Sequence, residues 1–219
     1  MTGSEFIARV FPYIAVGFFL LGTGWRFAHW LSLPAHVKWT LYPVPEGIPG
    51  QLKYMVKEMF TFETLYKFNR RLWIGSFAMH VAMAGSVLFF ILYLSGWSTK
   101  FMVQVCLCVI VTASIYIIGL RICDKNLRAL SNFEEFFNLA FLAGVAASGF
   151  AASVPPIPLS FRLYFLGLME FRPNVSFLST VHLLAVFLGG LFLIYLPWSK
   201  MIHYISKYFT YHHINWQKE

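Results

Sequence analysis

Residues 72–97 read LWIGSFAMHVAMAGSVLFFILYLSGW. The run passes without a single Asp, Glu, Lys or Arg, and His80 is its one imidazole. A helix crossing about 30 Å of hydrocarbon needs about 20 mostly apolar residues, so this run is long enough to span a bilayer. Four more segments read the same way, at about 10–31, 101–120, 134–154 and 176–197. The pattern predicts an all-α integral membrane bundle of five transmembrane helices. It forms one domain over residues 1–219, with no internal repeat. The first segment is not preceded by a basic run and a small-residue cleavage site, so it reads as a retained span and not a cleaved signal.

Composition agrees. The chain is 58% hydrophobic and 12% charged, with a mean hydropathy of +0.65. Soluble domains average roughly 45–50% apolar and about 25% charged. A free-standing soluble enzyme, a disordered chain and a nucleic-acid module are all excluded. The net charge of +8 is carried by short basic clusters between apolar runs, and in a membrane protein such clusters record topology. Arg9, Lys100, Arg162 and Arg172 fall on one side of the predicted bundle, and the rest of the 17 Lys and Arg fall on the other. Cytoplasmic loops carry the basic excess, which places the N-terminus outside, the C-terminus inside, and the chain in the inner (cytoplasmic) membrane as a multi-pass protein.

Local signals set the boundaries. Ser131-Asn-Phe-Glu134 reads as a capping box opening span four. Pro155, Pro156 and Pro158 close that span, and Pro197 ends or kinks span five. Residues 52–71 mix aromatics with Lys53, Lys57, Lys67, Arg70 and Arg71. They read as an amphipathic interfacial helix leading into span two. Cys106, Cys108 and Cys123 are an odd set without further partners, so they read as small packing residues and not as a disulfide or metal site.

The histidines carry the chemistry. His36, His212 and His213 lie in polar loop or tail sequence. His80 and His182 lie within spans, and His203 just past the end of span five. Ionisable groups in a bilayer are costly and mark function by default. A proton relay needs Asp or Glu in the spans, which are essentially absent, and a zinc site needs three or four ligands at one depth. A haem iron needs only one or two axial imidazoles from facing helices. His80 lies about eight residues into span two, so about 12 Å along its helix, on the cytoplasmic half. His203 is at the cytoplasmic end of span five, and His182 is near the outer end. His80 and His203 are therefore axial-ligand candidates for one haem b; a satisfied polar pair between helices is the rival reading. Gly75, Gly85, Gly189 and Gly190 either leave room for a flat macrocycle or serve ordinary small-residue packing. Arg70, Arg71 and Lys200 either pair with haem propionates or only mark the inner side. On the outer side, Arg162, Glu170, Arg172 and His182 are the polar groups available for contact.

These residues carry a resemblance. Span five runs from His182 to Tyr195-Leu-Pro197-Trp-Ser-Lys-Met-Ile-His203. It resembles the last span of the respiratory nitrate reductase gamma subunit: a His, an apolar stretch, then a Pro-aromatic-Ser/Thr-Arg/Lys-x-x-His ending. Asn69-Arg-Arg-Leu-Trp73 through Phe77-Ala-Met-His80 resembles that family's first haem-binding span. Glu58-Met-Phe60-Thr-Phe62 resembles relatives that serve heterodisulfide-reductase-like iron–sulfur subunits, including membrane cytochromes b of sulfite-reduction complexes. The resemblance covers about residues 8–208.

It implies a five-span cytochrome b of a respiratory complex, moving electrons between a membrane quinone (menaquinone or ubiquinone) and a cytoplasmic iron–sulfur subunit. That partner is heterodisulfide-reductase-like or nitrate-reductase beta-like, and it docks on the basic first loop and the tail bearing Trp198, Tyr204, Tyr208, Tyr211 and Trp216. By resemblance His80 and His203 ligate the inner haem iron, and His182 matches one ligand of an outer haem. The family's second span-two histidine follows ten residues after the first, and here Phe90 stands there. One haem b per chain is the expectation, with two as the alternative. The rival functions are a non-redox anchor or assembly subunit of a respiratory complex and, more remotely, a small transporter, which would show repeats or broken spans at the midplane.

Overall fold

The computed structural model describes residues 1–33, 45–154, 158–176 and 178–211. These are overwhelmingly helical, without strands among the described residues. The helices are α1 (Gly3–Arg9), α2 (Phe11–Ser32), α3 (Gly47–Thr61), α4 (Glu63–Phe68), α5 (Arg70–Leu94), α6 (Lys100–Cys123), α7 (Lys125–Ala129), α8 (Phe133–Ser153), α9 (Pro158–Met169), α10 (Thr180–Tyr195) and α11 (His203–Thr210). Four are long and apolar enough to cross a membrane: α5, α6, α8, and α10 together with the turn to Trp198. A fifth is reached if α1 and α2, which meet at a 47° bend, count as one broken span. The bend has a local cause: Pro12 near the start of α2 has no N–H to continue the α1 ladder.

Other boundaries also follow from side chains. Asn69 opens α5 by accepting the Leu72 N–H at 3.0 Å. Span four opens one residue later than the capping box placed it. Asn132 is the cap and accepts the Glu135 N–H at 3.2 Å. Ser131 Oγ is occupied elsewhere, donating to the Leu127 carbonyl and accepting from Arg121. Pro197 ends α10, and two 3-10 turns, Leu196–Trp198 and Lys200–Ile202, carry the chain to α11. Pro155 and Pro156 lie outside the described residues. The single interfacial helix expected over 52–71 is instead two helices, α3 and α4, broken at Phe62 in a left-handed conformation.

The long helices pack in a row, α5 on α6, α6 on α8, α8 on α10 and α10 on α2. No extended interface joins α5 to α10 or α2. The core lies between α5, α6 and α8, where Met79, Ala82, Ile110, Ala113, Ile117, Leu142 and Ala146 are buried, with Phe192 and Met201 packed against it. Two of the glycines left open by the sequence are packing residues. A Cβ on Gly75 would come within 2.7 Å of the Tyr116 ring, and one on Gly190 would enter the Phe11 ring. Gly85 faces Cys106, and Gly189 faces open space. Polar staples cross the apolar interior: Tyr195 donates to Asn138 Oδ1 at 2.6 Å, and Gln104 donates to the Ser153 carbonyl at 3.1 Å. All three cysteines are free thiols.

Candidate functional site: a histidine pair at one end of the bundle

α5 presents two faces. Gly75, Met79 and Ala82 are buried toward α6 and the core. Trp73, Phe77 and His80 occupy the other face, with Trp73 stacked on Phe77 at 4.9 Å. The Pro197 break turns the chain out of α10 and brings the start of α11 over this second face. The His80 and His203 rings then stand 5.9 Å apart, centre to centre, at 67°. The depth argument from sequence and the tertiary structure thus join the same two residues.

The hydrogen bonds settle which nitrogen each ring offers. His80 Nδ1 lies 2.7 Å from the Ser76 carbonyl, and His203 Nδ1 lies 3.3 Å from the Lys200 carbonyl. A carbonyl only accepts, so in the neutral form of either ring Nδ1 carries the proton and Nε2 the lone pair. A backbone acceptor behind a ring in this way is the usual outer-shell support of a metal-ligating imidazole. The separation of 5.9 Å at 67° is that of an edge-on ring pair. The His203 imidazole titrates below its ordinary value because packing around it penalises the cation; the Lys200 carbonyl opposes this, and charge on His80 and Lys207 adds to it.

The surroundings hold this geometry. Lys200 donates its N–H to Glu134 Oε1 at 3.0 Å, and its ammonium lies 3.7 Å from Glu134 and 3.9 Å from Glu135. Arg121 pairs with Glu135 at 2.7 Å. The turn that carries His203 is thus tied to the starts of α8 and the end of α6. Lys200 is engaged with carboxylates, and Arg70 lies over the Tyr66 ring at 5.0 Å. Lys207 sits close by, its ammonium lowered by partial burial and supported by Glu58.

The other candidates lie elsewhere. His182 is 4% exposed and has the Phe161 ring 5.0 Å away. Its Nδ1 receives the Ser179 N–H at 3.3 Å and lies 2.7 Å from Ser179 Oγ. The Ser179 hydroxyl can donate to this nitrogen or accept from it, and His182 Nε2 is buried without a hydrogen-bond partner among the described residues. His182 is built into the start of α10. His29 stacks on Trp25 at 5.4 Å. Arg162 is spent on the end of α5, donating to the Tyr93 and Leu94 carbonyls at 3.0 and 2.9 Å. Glu170 and Arg172 are exposed. His36, His212, His213 and Trp216 lie outside the described residues. No group of three or more His, Cys, Asp or Glu capable of holding a metal ion occurs among the described residues.

Two features escaped the sequence reading. One is an apolar cleft of about 340 Å³ between α5, α6, α8, α9 and α10, lined by Phe90, Tyr93, Lys100, Phe161 and Phe165 among others. Phe90 packs edge-on against Phe165 there, at 5.0 Å. The signal for it was the aromatic cluster at 161–165, which reads equally as an interfacial belt. The other is Arg26, a cation within the apolar sequence of α2, lying over Trp198 at 5.5 Å. No known family model matches this chain, and no curated protein matches it.

Proposed function

We propose that this chain is a haem b-carrying membrane subunit of a respiratory oxidoreductase, similar to the nitrate reductase gamma subunit. It passes electrons between a membrane quinone and a cytoplasmic iron–sulfur subunit. One observation carries the reading: His80 and His203, from separate elements, stand 5.9 Å apart, each with a backbone carbonyl against its Nδ1. Haem bound there supplies one-electron chemistry at a potential tuned by its axial ligands and burial. The protein's part is to hold the two imidazoles in one tautomer through Ser76 and Lys200, to pack Phe62 beside His80, and to fix the His203 turn through Glu134.

The apolar cleft at the far end supports a quinone site. Its volume is in the range of small-molecule pockets, its walls are aromatic, and Lys100 supplies a donor at the rim. The basic residues of α3, α4, α11 and the Arg121–Lys200 network share the His203 end, which supports a cytoplasmic face there and an N-terminus outside. Exposed Phe68, Leu130 and Phe133 lie near that end and suit a docked iron–sulfur subunit.

The test is the reduced-minus-oxidised spectrum of the purified protein. A low-spin haem b signal is expected in the wild type, lost in both His80→Ala and His203→Ala. A colourless protein that supports full activity of its complex would favour the non-redox anchor instead. A reporter fused after Glu219 should report the cytoplasm; a periplasmic signal would reverse the topology.

A further inference from the structure

Two donors in the first long helix lack partners. Thr23 Oγ1 and Arg26 Nε are buried and make no hydrogen bond among the described residues. They stand three residues apart on α2, so their side chains leave neighbouring positions of one face. A helical threonine commonly satisfies itself on a carbonyl three or four residues back, as Thr112 does on Cys108 and Val109. Thr23 does not. None of the ion pairs among the described residues includes Arg26. Its guanidinium instead lies over Trp25 and Trp198, at 5.8 and 5.5 Å. Ring contacts engage the face of a guanidinium and leave its N–H edge free.

Position adds to chemistry. One turn before Arg26, Gly22 is pressed against Pro197, where a Cβ would meet the proline ring at 3.0 Å. This part of α2 therefore sits on the turn that leads from Trp198 to His203. A cation and a hydroxyl without acceptors, in apolar surroundings beside a ligand-bearing turn, call for an acceptor-only anion. A carboxylate meets that need, since it takes both an N–H and an O–H and neutralises the guanidinium.

We infer that Thr23 and Arg26 form a carboxylate-binding pair, and that its ligand is an acid group of the tetrapyrrole held by His80 and His203. This rests on the haem reading above. A lipid phosphate offers similar oxygens, and the experiment separates the two. Apoprotein in nanodiscs of zwitterionic lipid is titrated with iron protoporphyrin IX and with its dimethyl ester, following the Soret band. Arg26→Met should weaken binding of the free acid by about tenfold or more and leave the ester unchanged. Thr23→Val, nearly isosteric, should act the same way by several-fold and keeps the test valid if Arg26→Met disturbs the tryptophan contacts. Equal losses for acid and ester, or no loss in either variant, overturn the pair. Selective loss of anionic lipid from Arg26→Met, with free-acid binding intact, assigns the pair to phosphate and also overturns it. Failure of the haem reading is seen separately: His80→Ala would then titrate like the wild type with both compounds.

Discussion

Phe62 holds a left-handed backbone, φ 50° and ψ 44°, and its ring lies 4.9 Å from the ring of His80. A residue with a Cβ in this conformation costs roughly 1–2 kcal/mol, and such strain persists only where the surroundings fix it. Here Phe62 donates its N–H to the Glu58 carbonyl at 3.0 Å, while Glu58 Oε2 accepts the Thr64 N–H at 3.2 Å. The Phe62 ring also meets Phe77 edge-on at 6.3 Å. The break between α3 and α4 is the means of bringing that ring to the histidine pair. Phe62→Ala should lose the ring and keep the strain, and Phe62→Gly should lose both. Glycine should therefore be more stable than alanine by about 1 kcal/mol in chemical unfolding, and with the proposed haem bound both variants should shift its potential in the same direction. Equal stability of the two would show that the backbone is unstrained.

The expected haem number follows from the proposed ligand pair. His80 and His203 are brought together, whereas His182 lies apart from them, its Nδ1 against Ser179 and its ring beside Phe161. Phe90, with no lone pair, lines the apolar cleft. One haem b per chain is expected from pyridine haemochrome analysis against protein mass. A ratio near two, with both haems low-spin, would mean that His182 gives up its contact with Ser179.

Arg162 acts as a C-terminal cap on α5, giving two charged donors to the Tyr93 and Leu94 carbonyls. Removing a charged hydrogen-bonding partner costs on the order of 1.5–3 kcal/mol. Arg162→Ala should lower the thermal midpoint in detergent and leave the haem spectrum intact. Arg162→Lys should recover only part, because an ammonium lacks the planar fork. A changed spectrum with an unchanged midpoint would place Arg162 at a ligand instead.

Glu63 bridges Lys57 at 2.7 Å and Lys67 at 2.8 Å, and these two lysines hold its carboxyl down to about 2 from an ordinary 4.5. A depressed carboxyl stabilises the fold above its unfolded value and loses that contribution as pH falls through the folded one. Protection of the α4 amides from hydrogen exchange should be the same at pH 7 and pH 4.5, and reduced at both in Glu63→Gln. Loss of protection between pH 5 and 4 in the wild type would show that the bridge does not form. The lysine partners are exposed and Glu63 is partly so, so high salt should weaken the effect.

Much of this architecture is a consequence of one-dimensional pattern. The apolar runs, the break at Pro197 and the depths of His80 and His203 follow from helical rise and side-chain hydrophobicity, which do not depend on neighbours in space. Asn132 shows the limit of that reading. Ser131 and Asn132 are both good caps, and the choice between them was made by Arg121, ten residues back in sequence and on another helix.

By itself, the sequence determined where the four long apolar helices lie, the expected first span being broken by a 47° bend, and that two histidines end at a common level. It did so because hydrophobic length and rise per residue are local quantities. Only the tertiary structure decided the rest: which face of α5 meets the core, which carbonyls meet the His80 and His203 rings, that Gly75 and Gly190 are contact points, and that Thr23 Oγ1 and Arg26 Nε have no hydrogen-bond partner among the described residues. Those depend on which backbone groups of other elements come within hydrogen-bonding distance, and no spacing along one chain specifies that.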